Sequence, residues 1–188
     1  MGKQFSELSD QHIEFINQQK IFFVGTAAQS GNVNISPKGG DSLRVLNSKQ
    51  IVWLNLTGSG NETAAHLLNT PRMTLMFCAF DGAPLILRAY GNAVALHQGD
   101  EQWGSYINLF PHSVAARQIV LLDIELVQSS CGMSVPYFDY QDDRTDLANW
   151  SDKQGKSGIE AYWLKKNQTS IDGFQTQIAD RSGLIDKS

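Results

Sequence analysis

The sequence predicts a mainly β (α+β) fold, an antiparallel barrel of six or seven strands with helices at its periphery. Three observations carry this. Short apolar runs of strand length recur between residues 21 and 127. Turn signals, Ser30-Gly31-Asn32, Asn47-Ser48 and Asp81-Gly82, join consecutive runs as hairpins rather than βαβ units. Helical patterns between the runs are few, which argues against a doubly wound parallel sheet.

The elements follow in order. Ser9 or Asp10 can cap a helix over about 10–19, in which Ile13 and Ile16 share a face and Phe15 does not. Residues 21–27 read as a buried strand, and Val33-Asn34-Ile35-Ser36 alternates before Pro37-Lys38-Gly39-Gly40 breaks it. Strands over 43–46 and 51–56 form the next hairpin, followed by a helix over 60–69 with Pro71 just beyond. Strands over 73–80, 84–96 and 117–127 complete the set, with a helix over 100–109 between the last two. Helical patterns return at 142–149 and 159–166, and the last dozen residues carry no strong pattern.

At 188 residues the chain is most simply one domain, with a core over about 12–130 and a helical C-terminal extension over about 140–175. A net charge of −4, thinly spread, argues against nucleic acid as a partner. No apolar stretch approaches the ~20 residues that span a bilayer, and the N-terminus lacks a secretory h-region, so a cytoplasmic location is expected. Cys78 and Cys131 show no metal-ligand spacing with each other or with histidine, so no metal is expected. The four histidines lie far apart in sequence and read as structural rather than catalytic.

The most informative segment is Leu56-Thr57-Gly58-Ser59-Gly60-Asn61-Glu62-Thr63, where a strand feeds through a glycine-punctuated turn into a helix. Ser59 and Glu62 have capping-box spacing, which places the helix start near Gly60. Unpaired N–H groups and a partial positive charge make such a terminus receptive to an anion such as phosphate. The same capping box also serves helices that bind nothing. Two phosphate motifs are excluded: Gly60-Asn61-Glu62 lacks the Walker lysine, and Thr63 stands where the dinucleotide fingerprint needs its third glycine. A phosphate here would need a cation from elsewhere, and Lys38, Arg72 and Arg88 are the candidates. Arg88 interrupts the apolar run Leu85-Ile86-Leu87 and, if buried, needs an acidic partner or a bound anion.

The order Asn34-Ile35-Ser36-Pro37-Lys38-Gly39, strand, Thr57 to Thr63, helix, Asn69-Thr70-Pro71-Arg72, strand resembles the FMN-binding split-barrel family of pyridoxamine 5'-phosphate oxidase-like proteins. The resemblance covers about residues 12–130. That family usually reads Thr-x-x-x-x-Ser-Arg-Lys, helix, Asn-Pro-Arg. Thr57, Asn69, Pro71 and Arg72 match with one residue inserted, and Asn61-Glu62-Thr63 replace Ser-Arg-Lys. It implies FMN as cofactor, held by Ser36, Pro37, Lys38, Thr57, Gly58, Ser59, Asn61, Glu62, Thr63 and Arg88, with Lys38 substituting for the lost basic pair. It also implies a homodimer with flavin sites at the subunit interface.

Residues 129–136 and 167–173 resemble segments of one branch of the same superfamily, which would bring the Cys131-Gly132 loop near the flavin. A strand-exit turn with a buried thiol is the plainer alternative. The oxidase's C-terminal Trp-x-x-x-x-x-Arg-Leu-His pattern has no counterpart, so the resemblance does not extend to its substrate. The implied function is an FMN-dependent oxidoreductase acting on a small molecule. A non-catalytic flavin store or stress-related sensor is the second expectation, and a haem-binding split barrel a distant third.

Overall fold

The computed structural model describes residues 2–185. Its centre is one antiparallel sheet of eight strands: β1 (Lys3–Phe5), β2 (Ile21–Thr26), β3 (Asn34–Gly39), β4 (Leu43–Asn47), β5 (Gln50–Leu56), β6 (Arg72–Cys78), β7 (Ile86–Leu96) and β8 (Ala116–Ser130). Seven of them follow the order β3-β2-β6-β7-β8-β5-β4, and β1 pairs separately with β8. The two ends of that path, β3 and β4, are consecutive in sequence and separated only by residues 40–42. So short a link forces the sheet to curl until its edges meet, although β3 and β4 do not pair. The result is a split barrel.

Bulges strengthen the curl. The β7–β8 register shifts at Tyr90/Gly91, and a Cβ at Gly91 would lie 1.9 Å from the Asp123 carbonyl oxygen. Strand alternation then sorts the core into two layers. On β5, Ile51 and Trp53 face the barrel interior with Leu75, Phe77, Leu87, Val120 and Leu122. Val52 and Leu54 face outward, under Leu96, Ile119, Leu121 and Phe110. Burial on both faces explains why β5 reads as a continuous apolar run.

Five helices decorate the sheet: α1 (Asp10–Gln18), α2 (Glu62–Asn69), α3 (Trp103–Ile107), α4 (Asp146–Lys166) and α5 (Ile178–Arg181). Ser9 caps α1 in a reciprocal box with His12. Ile159 and Trp163 of α4 and Ile178 of α5 form a third cluster.

Several expectations are corrected. Pro37 does not end its strand; β3 runs through it to Gly39, because an edge strand tolerates a residue without an N–H. The turn falls instead at Gly40, whose φ is +67°. The Ser59–Glu62 capping box does not form: α2 starts at Glu62 after Asn61, and the Glu62 carboxylate accepts from the Ile171 N–H at 3.2 and 3.1 Å. The predicted 142–149 and 159–166 helices are one element, α4, kinked at Gly155 with φ +64°. Part of the last dozen residues is ordered as α5, with Ile178 and Ala179 buried.

Candidate functional site

A cleft of about 890 Å³ opens where β3, the β5–α2 turn, the start of β8 and the C-terminal segment meet. That size suits a small-molecule or cofactor site. Ser36, Pro37, Lys38, Thr57, Gly58, Ser59, Asn61, Glu62 and Thr63 all line it. Residues far apart in sequence converge because β3 and β5 stand at opposite sides of the barrel's split.

Lys38 projects from β3, with its ammonium 3.3 Å from Asn55 Oδ1 and 5.3 Å from the Trp53 ring centroid. Burial, then the charge of Arg117, lowers its pKa to about 8. Asn55 is buried and donates to Gln118 Oε1 at 2.8 Å. Gln118 in turn stands 3.1 Å from His97 Nε2. Burial first, then Arg181, lowers the His97 pKa to about 4 and keeps the ring neutral. The Gln118 amide therefore donates to Nε2, and the His97 proton sits on Nδ1.

Arg117, second residue of β8, is the dominant charge. It is 3% exposed and forms no ion pair with a carboxylate among the described residues. Burial lowers its pKa to about 10, which still leaves it charged at neutral pH. Its Nη1 donates to Gly60 O at 2.8 Å and Asn167 Oδ1 at 2.7 Å. Nε has no partner, and Nη2 makes no hydrogen bond among the described residues. What remains is the two-nitrogen edge of the guanidinium, the fork that grips a phosphate or carboxylate.

The cleft also concentrates orphaned polar atoms. Ser36 Oγ, Asn61 Oδ1, His66 Nε2 and Arg117 Nε are buried without partners, and all four residues line it. His66 Nδ1 is occupied, 3.1 Å from Thr26 Oγ1. Native proteins leave few such atoms unpaired, and these four share one cleft, where a polar ligand or ordered water can complete the bonding. Glu62 is the cleft's one carboxylate among the described residues.

The C-terminal segment closes one side. Asp172 accepts from Asn32 N at 2.8 Å and Asn32 Nδ2 at 2.7 Å, and Thr169, Ser170 and Ile171 line the cleft. Trp163 Nε1 donates to Thr57 Oγ1 at 2.9 Å, and that hydroxyl donates to Ala115 O at 3.0 Å.

Arg88 and the Cys131-Gly132 turn lie elsewhere in the chain. Arg88 Nη1 donates to Ser130 Oγ at 3.1 Å, and Gly132 packs on Leu85, both at the far end of β8 from Arg117. Cys131 is exposed, so the buried thiol of the plainer sequence reading is Cys78 instead. Arg72 is exposed and outside the cleft. The sequence singles out neither Arg117 nor Asn55 as a site residue, reads His66 as a structural histidine, and marks Asn167 only within the 167–173 resemblance. Arg117 and Gln118 at the head of an apolar run carried the same signal that singled out Arg88.

Fold and cleft together describe a split barrel with a cationic, polar-lined cleft of small-molecule size. The chain belongs to the pyridoxamine 5'-phosphate oxidase family, which it matches over residues 8–131. A family protein of Aspergillus flavus, ustO, is 32% identical over 90% of this chain and 76% of its own length. Two solved structures share the fold at lower identity. A candidate pyridoxamine 5'-phosphate oxidase from Lactobacillus delbrueckii is 18% identical with a TM-score of 0.52, over 65% of this chain and 94% of its own. A Clostridium acetobutylicum protein related to general stress protein 26 is 16% identical with a TM-score of 0.50, over 66% and 91%.

Proposed function

We propose that the chain is a flavoprotein that binds FMN in this cleft and passes a hydride between the flavin and a small molecule. One observation carries the reading: Lys38 and Arg117 both line a cleft with no ion-paired counterion for either among the described residues. Two desolvated cations held together are costly unless an anion joins them, and the ligand's phosphate supplies it. Backbone N–H groups at the start of α2 add to that end. Ser36, Asn61 and His66 offer their unpaired atoms to the ligand's hydroxyl and ring polar groups. The isoalloxazine ring, when bound, supplies the redox chemistry. The protein's part is to bind, to orient and to exclude water, and no covalent protein intermediate is needed.

Thr169, Ser170 and Ile171 of the C-terminal segment form one wall of the cleft. A homodimer completes the proposal. Val33 and Ile35 beside the cleft are 71% and 68% exposed, and Met133, Tyr137 and Phe138 after β8 are 81%, 78% and 63% exposed. Apolar surface of this extent suits burial against a second copy.

The test is a spectral titration of the apoprotein with FMN and riboflavin, with sedimentation to give the assembly. Tight FMN binding, with riboflavin much weaker, is expected for a species of twice 20.8 kDa. Protein that ignores both flavins refutes the cofactor, and a Soret band in the purified protein would replace it with haem. Reduction of the bound flavin by NAD(P)H, followed by acceptor-dependent reoxidation, separates an oxidoreductase from a flavin store.

A further inference from the structure

We propose that Asn167 is the positioning residue of the anion site, so that docking of the C-terminal segment and formation of the phosphate end of the cleft are one event. This rests on the reading that the anion is the phosphate of a bound flavin.

Asn167 closes α4 and is fully buried. Every polar atom it has is engaged. Its N–H donates to Trp163 O at 2.9 Å, and its Nδ2 donates to Gly58 O at 3.0 Å. Its Oδ1 accepts from Arg117 Nη1 at 2.7 Å. Its carbonyl accepts from Asn61 Nδ2 at 3.1 Å and Thr176 Oγ1 at 2.6 Å. One side chain thus grips the guanidinium and the turn that approaches the ligand.

The grip sets direction. Nη1 has two hydrogens; Gly60 O takes one and Asn167 Oδ1 the other. With both fixed, the planar guanidinium can present only its Nε/Nη2 edge to the cleft. Without Asn167 only backbone carbonyls of one turn remain, Gly60 O at 2.8 Å and the longer Gly58 O at 3.5 Å, and the fork can swing about them. An amide suits the task and a carboxylate does not. Aspartate at 167 would neutralise Arg117 and compete with the incoming anion.

The position of these contacts explains a departure from the family pattern. Asn61-Glu62-Thr63 stand where Ser-Arg-Lys is usual. Here Asn61 binds the Asn167 carbonyl, and Glu62 binds the Ile171 N–H. The residues that would have held the phosphate now hold the C-terminal segment. The cation is delivered instead from beneath, by Arg117 on β8, and Asn167 steers it. Ligand affinity and order in 167–176 are then coupled, and each must strengthen the other.

The experiment uses the whole chain. Dissociation constants for FMN and riboflavin are measured by flavin fluorescence for wild type, Asn167→Asp, Arg117→Met and the double variant. Amide exchange over 167–176 is followed with and without FMN. Asn167→Asp is expected to cut the preference for FMN over riboflavin by roughly tenfold or more. Riboflavin affinity should move less than about threefold, since an uncharged ligand end does not use the fork. In the Arg117→Met background the same change should leave the preference unaltered, because the cation it acts through is gone. FMN should slow exchange at the Ile171 and Thr176 amides in the wild type, a readout that needs no variant to fold. A folded Asn167→Asp protein with wild-type preference, an equal loss in the Arg117→Met background, or exchange untouched by FMN would each overturn the proposal while leaving the flavin reading intact. Wild type that binds FMN no better than riboflavin would sink both.

Discussion

Replacing Arg117 by methionine isolates the interaction on which the functional reading depends. Methionine matches much of the arginine stem and removes the buried charge. In the unliganded protein two effects oppose each other. Gly60 O and Asn167 Oδ1 lose a donor, at about 1–3 kcal/mol for each buried acceptor left unpaired. Against that, a desolvated guanidinium without a counterion disappears, a change that is often neutral or stabilising. The net change in unfolding free energy should be modest, within about 2 kcal/mol. Binding has no such compensation. The free Nε/Nη2 edge can make two charge-assisted bonds, and losing it should cost about 2–4 kcal/mol of FMN binding, from about 30-fold to several-hundred-fold in Kd. Riboflavin has no phosphate and should lose less than about threefold. Urea unfolding monitors the first quantity and flavin fluorescence titration the second. Equal losses for FMN and riboflavin in a folded variant would refute the reasoning, because the effect would then be on cleft shape rather than on an anion.

Further outcomes follow from the same geometry. Lys38 titrates near 8 in the free protein, and a bound phosphate raises that value, so binding takes up a proton above pH 8. FMN affinity should therefore fall as pH rises through about 8, by up to about tenfold per unit, and Lys38→Met should flatten the profile. In the unliganded protein the sign is opposite: the unfolded lysine holds its proton more tightly, so stability rises with pH between about 8 and 10.5. A pH series of denaturant melts checks this. Glu62→Gln keeps an acceptor for the Ile171 N–H while removing a negative charge from the cleft; FMN should bind about threefold to tenfold more tightly, and weaker binding would show that the carboxylate is needed. Gly91→Ala should lose about 3 kcal/mol or more in urea melts, because its Cβ would meet the Asp123 carbonyl at 1.9 Å inside the β7–β8 bulge.

The barrel was legible because its strands carry their own signal. β5 is apolar from Ile51 to Leu54 since both of its faces are covered there, and the hairpin turns lie between runs that do pair. β1 and α5 left no such trace. They are 3 and 4 residues long, held by long-range partners: β1 by the end of β8, and α5 by the buried Ile178 and the Arg181–Asp100 ion pair. Local pattern does not encode contacts of that kind. The cleft shows the same division. Lys38 and the 57–63 turn announce themselves through glycine, proline and helix-start chemistry, which are local. Choosing between Arg88 and Arg117 required knowing which end of β7 and β8 faces the split. Both arginines adjoin apolar runs, and only the register of the closed sheet tells them apart.

The unliganded cleft is held in an arrangement that a stability-driven sequence would avoid. Arg117 is desolvated without a counterion among the described residues, Lys38 feels its charge, and three further polar atoms are buried unpaired around them. Each of these costs folding free energy, and the barrel with its two apolar layers must supply the surplus. On the proposed reading the same strain confers selectivity, because a ligand with an anionic end relieves the cations and one with several polar groups satisfies the rest. A ligand that does so should stabilise the native state by mass action, about 2.7 kcal/mol at a hundredfold excess over Kd. The rise in melting temperature should therefore be larger for FMN than for riboflavin or inorganic phosphate at equal free-ligand concentration. Riboflavin leaves the cations unpaired, and phosphate alone leaves Ser36, Asn61 and His66 without partners. A phosphate shift equal to the FMN shift would mean that the cleft reads charge alone, and that the orphaned atoms around it serve some other ligand.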